Sequence, residues 1–310
     1  MKKHILIAFI FTQLALAQET KFTESEISVN QLIKGTLYAP GKSGGKTDLV
    51  ILIAGSGPTN RSGNQVGMKN NSLKYLAQGI AKGGTAVFSY DKRIFAMMVA
   101  GNLDEKSLRF EDFIGDAKDV IAFFRNKKEY RKIIVAGHSE GALIGVVAAQ
   151  DNRADAYISL AGAGRTIDQI IADQIAQQAP GMRTEVEGYF TKMRNGEDFQ
   201  SHPMLESVFR ESVRPYLLSS MKYDAKAEIK KLKIPVLIVN GTKDLQIKVD
   251  EAQALKAAKP DAKLVLIENM NHVLKEIKGD DAENQASYSN PDLPVMDELI
   301  SAVNQFIKTI

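Results

Sequence analysis

The sequence predicts an α/β protein in which a mostly parallel, doubly wound sheet carries a helical insertion. Apolar runs typical of buried parallel strands alternate with amphipathic helical segments up to residue 165, and again from residue 233. Between these stretches, apolar residues recur at helical spacing only. We therefore expect a core of residues 18–165 and 233–310, with residues 166–232 inserted as a helical cap.

Each element of the core has its own pattern. Loose alternation over residues 22–40 predicts two edge strands. Continuous apolar runs predict six further strands: Leu49–Ile53, Thr85–Tyr90, Ile133–Ala136, Ala156–Leu160, Pro235–Val239 and Lys263–Ile267. Apolar stripes predict the helices Ser72–Lys82, Glu111–Lys127, Val249–Ala258 and Val295–Ile310, the last after a polar tail over residues 278–294.

The insertion has helical start and stop signals. Thr166 and Gln169 have the spacing of a capping box, and Pro180-Gly181 and Asn195-Gly196 are typical of breaks between helices. We expect these helices to cover the edge of the sheet where the reactive groups lie.

Composition excludes several kinds of site. The 310 residues include 40 Lys and Arg against 37 Asp and Glu, a net charge of +3 that offers no footprint for nucleic acid. The chain contains no cysteine, which excludes a disulfide framework, a thiolate nucleophile and cysteine-bound zinc.

The first residues predict export. Lys2 and Lys3 precede an apolar run over residues 5–16, and Ala15-Leu16-Ala17 has the small-x-small form of a signal-peptidase site. The run is too short to span a bilayer comfortably. We expect a signal peptide over residues 1–17, and a periplasmic or secreted mature chain without stable membrane insertion. Its removal leaves 38 basic against 37 acidic residues, a net charge of +1.

A candidate nucleophile follows the predicted strand Ile133–Ala136. In Gly137-His138-Ser139-Glu140-Gly141, glycines stand two positions before and after the serine, as a sharp strand-to-helix turn requires. Such a turn lifts the hydroxyl clear of the sheet. It also puts the hydroxyl at the start of a helix, where free N–H groups favour the negative charge of acyl transfer. Ser139 is therefore the predicted nucleophile.

The loop Ala54–Asn64, directly after a predicted central strand, is expected to complete an oxyanion hole. Gly55 and Gly57 allow the backbone to turn N–H groups towards a substrate oxygen. Arg61 is expected to anchor this loop. The charges Asp91-Lys92-Arg93, which end another strand, are expected to form structural ion pairs.

The base that activates the serine is identified by elimination among four histidines. His4 leaves with the signal peptide, His138 lies on a turn that points it away from Ser139, and His202 lies in the insertion. His272 follows the last strand at the edge of the sheet where Ser139 is expected. It is the predicted base.

Asp244 is the predicted acid that holds the imidazole in one tautomer. It ends the turn after the preceding strand, at the same edge of the sheet. Asp250 on the next helix and Asp168 in the insertion are less well placed. The order serine, acid, histidine agrees with this assembly.

Together these motifs resemble the α/β-hydrolase superfamily over nearly the whole mature sequence, and more narrowly its exported bacterial serine carboxylesterases. The matching motifs are Gly55–Pro58, Tyr90–Arg93, Gly137–Gly141, Asn240–Asp244 and Asn271-His272. The resemblance implies an α/β-hydrolase fold, a Ser-His-Asp triad and a small-molecule ester substrate, with no metal or organic cofactor. It further implies that the backbone N–H groups of Glu140 and Ser56, with Gly57 as the alternative to Ser56, form the oxyanion hole.

The chain departs from this group at two positions around the expected pocket rim. Asn60 stands where such relatives usually have aspartate, and Ile94–Met98 replaces a glycine-rich turn. The resemblance therefore implies the catalytic machinery but not a particular substrate.

Other functions stay open at this stage. A peptidase or amidase uses the same triad, and an aminopeptidase needs a carboxylate for the substrate's amino group. Asp173, Glu185 and Glu187 of the insertion are candidates for it that the sequence does not place. A coenzyme A thioesterase is disfavoured by export, and a ligand-binding protein of the same fold would have no catalytic role.

Overall fold

The computed structural model describes residues 22–41, 45–151 and 153–310; the predicted signal peptide lies outside them. The strands of this part are β1 (Phe22–Ser28), β2 (Lys34–Pro40), β3 (Leu49–Ile53), β4 (Ala86–Tyr90), β5 (Ile133–His138), β6 (Ala156–Leu160), β7 (Val236–Gly241) and β8 (Lys263–Ile267). The helices are α1 (Ser72–Lys82), α2 (Arg93–Val99), α3 (Phe110–Lys127), α4 (Glu140–Ala148), α5 (Ile167–Gln178), α6 (Arg183–Asn195), α7 (Glu206–Phe209), α8 (Arg214–Ser220), α9 (Ala225–Lys230), α10 (Val249–Ala258), α11 (Asp281–Ser287) and α12 (Asp297–Thr309).

The described strands form one sheet in the order β1-β2-β4-β3-β5-β6-β7-β8. β1 and β2 run antiparallel to their neighbours, and the pairs from β4 to β8 are parallel. The predicted fold class is therefore confirmed. In the register of β3 with β5, Ile53 lies opposite Gly137. The loops that follow these two strands consequently leave the sheet side by side.

Alternate residues of the strands pack into two hydrophobic layers, one on each face of the sheet. Leu49 and Ile51 point to the layer that contains α3, α4 and α10. Val50 and Leu52 point to the opposite layer, which contains α1 and α12. Helices thus cover both faces, and in sheets of this kind ligand-binding groups lie in the loops at the carboxyl edge of the parallel strands.

Between β6 and β7 the chain forms helices α5 to α9 and two short 3-10 turns. Helices α5 to α8 and the segments between them bury a third cluster: Ala172, Val186, Tyr189, Phe190, Met193, Phe199, Leu205, Phe209 and Leu217. Helix α9 instead packs into the first layer through Ala225 and Ile229. No helix in the described part of the chain is long and apolar enough to cross a bilayer.

The polar tail over residues 278–294 contains a helix that the sequence analysis does not predict. α11 is short, and Asp280 caps it by accepting hydrogen bonds from the N–H groups of Ala282 and Glu283. Its apolar content is too low for a periodic pattern. It buries the polar side chains of Asn284 and Ser287.

We predict that α12 contributes strongly to stability through its apolar face. Leu299 is fully buried in the second layer, so Leu299→Ala should lower the free energy of unfolding by about 2–5 kcal/mol. The adjacent and exposed Glu298 is the control, since Glu298→Ala should change it by less than about 0.5 kcal/mol. Urea unfolding measures both, and equal losses would contradict this packing.

Candidate active site

Ser139 lies at the junction of β5 and α4 in a strained backbone conformation. Its φ is 55° and its ψ is −122°, a region that non-glycine residues avoid. Two backbone hydrogen bonds hold it there: the Ser139 N–H donates to Leu160 O at 2.9 Å, and Ser139 O accepts from the Ala142 N–H at 2.9 Å. The strand and the helix around the serine therefore fix the turn.

The two glycines of the turn are required by close approach rather than by their own backbone angles. A Cβ atom on Gly137 would lie 2.1 Å from Gly141 O, and one on Gly141 would lie 2.4 Å from Ile53 O. Neither glycine has a positive φ. Helix α4 thus packs directly on the ends of β3 and β5.

The loop after β3 lies against the serine. A Cβ atom on Gly55 would be 3.2 Å from Ser139 Cβ. Within the described residues, the backbone N–H groups of Glu140, Ser56 and Gly57 donate no hydrogen bond. All three N–H groups therefore lack a described acceptor, and Ser56 and Gly57 both remain alternatives for the predicted second donor.

Arg61 anchors this loop, as expected. Its guanidinium donates to Asp91 Oδ2 from Nε at 3.0 Å and from Nη2 at 2.6 Å, and its backbone N–H donates to Asp91 Oδ1 at 2.7 Å. Asn60 Oδ1 accepts from the N–H groups of Ser62 and Asn64. An asparagine oxygen closes this turn as an aspartate oxygen would.

The structure brings Asp244 and His272 together. His272 Nδ1 donates to Asp244 Oδ2 over 2.8 Å, and both residues are buried. Asp244 Oδ1 accepts from the N–H groups of Gln246 and Ile247, which orients the carboxylate. Because Nδ1 carries the proton shared with the carboxylate, Nε2 is left as the proton acceptor of the neutral ring.

Asn271 braces the loop that carries His272. Its Nδ2 donates to Asn284 Oδ1 at 2.9 Å and to Ser287 Oγ at 2.7 Å, and its Oδ1 accepts from the Lys275 N–H. Helix α11 therefore holds the histidine loop. The sequence signal for it is weak, because the partners are small polar residues without a periodic pattern, 13 and 16 positions after Asn271.

His138 supports the same loop from the other side. Its Nε2 donates to the His272 backbone carbonyl over 2.8 Å. Burial, and next the neighbouring His272, lower the pKa of His138 to about 4. His138 is thus a neutral structural donor, in agreement with its exclusion as the base. The ring centres of His138 and His272 lie 4.9 Å apart. Within the described chain, Ser139 Oγ makes no hydrogen bond to His272.

The charges at the end of β4 form structural ion pairs, as expected. Asp91 binds Arg61, and Arg93 binds Asp116 of α3 with a separation of 2.7 Å. Lys92 binds Glu140 of the serine turn over 2.7 Å. The sequence analysis did not anticipate this last contact, which reaches the candidate site.

The acids of the insertion all have partners close by. Asp173 pairs with Arg165 and Arg183, and Glu187 also pairs with Arg183. Glu185 accepts a hydrogen bond from the Tyr189 hydroxyl.

The alternative acids and the remaining histidine also have other roles. Asp168 pairs with Arg194, and Asp250 accepts from the Glu251 N–H at the start of α10. His202 Nδ1 accepts from the Met204 N–H at a 3-10 turn.

We predict opposite effects for two glycine substitutions. Gly137→Ala should lower the free energy of unfolding by at least about 2 kcal/mol, because its Cβ collides with the backbone of α4. Gly115 lies within α3 with open space around a Cβ, so Gly115→Ala should raise stability by about 0.4–1 kcal/mol. Thermal or urea unfolding compares them, and a stable Gly137→Ala protein would contradict the close approach.

We predict that His138 makes the protein less stable in acid. Its folded pKa of about 4 lies below the ordinary value of about 6.5 for an unfolded histidine. Unfolding therefore takes up a proton below pH 6.5, and the stability present above that pH is lost as the pH falls towards 4. His138→Gln keeps a donor without titrating, so its loss of unfolding free energy from pH 7 to pH 5 should be smaller by about 2 kcal/mol. Identical pH dependence of the two proteins would refute this.

Comparison with known sequences identifies a family and a similar esterase. The family described as serine aminopeptidase, S33, matches residues 66–276, which include Ser139, Asp244 and His272. Esterase EstD from Thermotoga maritima is 27% identical over 296 residues. That alignment covers 90% of this chain, which spans 66% of the length of EstD.

Solved structures of low sequence identity share the fold. Est1E from Butyrivibrio proteoclasticus has a TM-score of 0.59 at 18% identity, covering 92% of this chain and 98% of its own. An esterase from Pyrococcus furiosus has a TM-score of 0.56 at 17% identity, and the match covers 94% of this chain and 91% of that esterase chain. The sheet order, the serine turn and the family match over more than half of the sequence agree: the chain belongs to the serine aminopeptidase S33 family and has the α/β-hydrolase fold.

Proposed function

We propose that this protein is a serine hydrolase that cleaves small carboxylic esters, with a short acyl group, through an acyl-enzyme. The observation that carries the proposal is the buried hydrogen bond between Asp244 and His272. It lies at the edge of the sheet where the strained Ser139 turn ends β5. A buried acid–imidazole pair and a half-buried serine at the same edge of the sheet are the parts that nucleophilic acyl transfer needs.

In this mechanism Ser139 Oγ attacks the ester carbonyl while His272 Nε2 accepts its proton. The tetrahedral intermediate then collapses, the bond to the alcohol oxygen breaks, and His272 returns the proton to the leaving alcohol. Water then attacks the acyl carbonyl carbon while His272 Nε2 accepts its proton. The bond between Ser139 Oγ and the acyl carbon breaks, His272 returns the proton to Ser139 Oγ, and the acid leaves. Asp244 remains ionised and stabilises the imidazolium at both stages.

The negative oxygen of the intermediate binds to the N–H of Glu140 and to that of Ser56. Support for these donors is their lack of other described acceptors and the closeness of the Gly55 loop to Ser139. The Glu140 N–H is also at the first turn of α4, where the helix dipole favours negative charge.

Two of the three insertion acids argue against an aminopeptide substrate. Binding an α-amino group requires a carboxylate whose charge is not already paired, and Asp173 and Glu187 pair with arginines. Glu185 keeps its charge and accepts a hydrogen bond from the Tyr189 hydroxyl. The similar proteins named as esterases agree with this choice. An aminopeptidase is the second candidate, because the family carries that description.

We predict that Ser139→Ala lowers kcat for a chromogenic short-chain ester by at least about 10⁴-fold. Ser301→Ala removes an exposed serine of α12 and serves as the control, with unchanged kcat. Labelling with a fluorophosphonate should be lost only in the Ser139 variant. Full activity of that variant would refute the proposal.

A panel of esters and aminoacyl amides, assayed with the same enzyme, separates the candidates. The ester proposal expects kcat/KM for esters to exceed that for matched amides. Faster turnover of the amides would select the aminopeptidase instead. Absence of both turnover and labelling would leave a ligand-binding protein of this fold.

A further inference from the structure

The candidate site contains a buried cation that the mechanism above does not use. Lys92 follows β4 and is 2% exposed. Its Nζ donates to Gly55 O at 2.9 Å and to Glu140 Oε1 at 2.7 Å, and lies 4.8 Å from the centre of the Phe113 ring. Burying an ammonium group is costly unless its partners are well placed, so these contacts define its position sharply.

The first contact fixes the direction of the Ser56 N–H. Gly55 C=O and Ser56 N–H belong to one trans peptide group, in which the two bonds point in opposite directions. A cation bound to the carbonyl oxygen therefore turns the N–H away from itself. Hydrogen bonding to the carbonyl also polarises the peptide group, which strengthens the N–H as a donor.

The next peptide of the loop is held independently. Ser56 O accepts from Thr59 Oγ1 at 2.7 Å and from Gln65 Nε2 at 2.8 Å. Because the carbonyl groups of Gly55 and Ser56 are both bound, the peptide that carries the Ser56 N–H has little freedom to rotate.

The second contact acts on Glu140, the residue that supplies the other proposed donor. Its side chain is 9% exposed and pairs with Lys92. Without that pairing, the carboxylate would be a buried negative charge close to the place where the oxyanion forms, and would oppose it. The ion pair thus removes an unfavourable charge and holds the start of α4 against the Gly55 loop.

We propose that Lys92 is the positioning residue of the oxyanion hole, because a single ammonium group binds the peptide of one donor and the side chain of the other. The proposal rests on the serine hydrolase function proposed above. It concerns Ser56 as the donor in the loop, since Ser56 is the residue whose N–H shares a peptide group with Gly55 O.

Lys92→Met tests this directly, because methionine has a similar length without donor or charge. We expect kcat for the ester to fall about 10- to 100-fold, less than for outright removal of an oxyanion donor. KM should change by less than about threefold, since the hole acts mainly in the transition state. Arg93→Met is the matched control: it removes the neighbouring cation, whose partners Asp112 and Asp116 are on α3 and belong to neither proposed donor, and should leave kcat within about twofold.

A thionoester substrate separates positioning from general damage. Sulfur accepts hydrogen bonds weakly, so a defective oxyanion hole should lower the ester rate more than the thionoester rate. A role in stability alone would lower both rates equally and would overturn the proposal. Thermal unfolding of each variant reports that stability.

The double variant Lys92→Met with Glu140→Gln distinguishes positioning from charge neutralisation. It removes both charges but leaves Gly55 O unbound, so kcat should stay low; recovery to the wild-type kcat would overturn the proposal. If Lys92→Met alone does not fold, the double variant provides the test, because it leaves no buried charge of this pair without a partner; the same loss of kcat and the same bias against the ester are expected.

The wild-type protein and Ser139→Ala are measured first. Failure of the wild type to hydrolyse or label would refute the hydrolase function. A Ser139-dependent esterase with an unaltered Lys92→Met variant would refute the positioning role alone.

Discussion

The contact between the first turn of α4 and the ends of β3 and β5 is the constraint on which the site depends. Two glycines without side chains let the helix backbone approach to distances that any Cβ would prevent. This approach forces Ser139 into its strained turn and brings it beside the Gly55 loop. Because this approach forms the turn, the other side chains around Ser139 are not needed to hold its backbone in the strained conformation.

Around that contact, polar side chains buried at the sheet edge brace one another in pairs. Asp244 holds His272, His138 holds the backbone of His272, and Asn271 fastens the same loop to α11. Each group is fixed by a partner from another loop. A buried polar network of this kind is rigid because any displaced member would lose hydrogen bonds in a medium with little water to replace them.

The sequence predicted what depends on local pattern. Alternating strand and helix periodicity indicated the sheet, and the glycine spacing indicated the turn at Ser139. Asp244 and His272 were selected because strand ends of a parallel sheet share one edge. Their mutual hydrogen bond depends on the same topology. The order of strands and helices was therefore nearly enough to predict that Asp244 and His272 lie together.

Other features depend on partners that no local pattern specifies. Asp91, Lys92 and Arg93 are adjacent charges, yet each binds a different element, and Lys92 reaches a residue 48 positions away. Helix α11 was missed because its buried side chains are polar and its length is seven residues. In both cases the contact depends on which residues the tertiary fold brings together, and the local sequence does not specify them.

Helices α5 to α8 and the segments between them bury an apolar cluster that is separate from the two layers of the sheet. Helix α9 differs, because Ala225 and Ile229 belong to the first layer of the sheet. Residues of the separate cluster and residues of the sheet core belong to different apolar clusters, so the effects of substitutions in the two on the free energy of unfolding are expected to add.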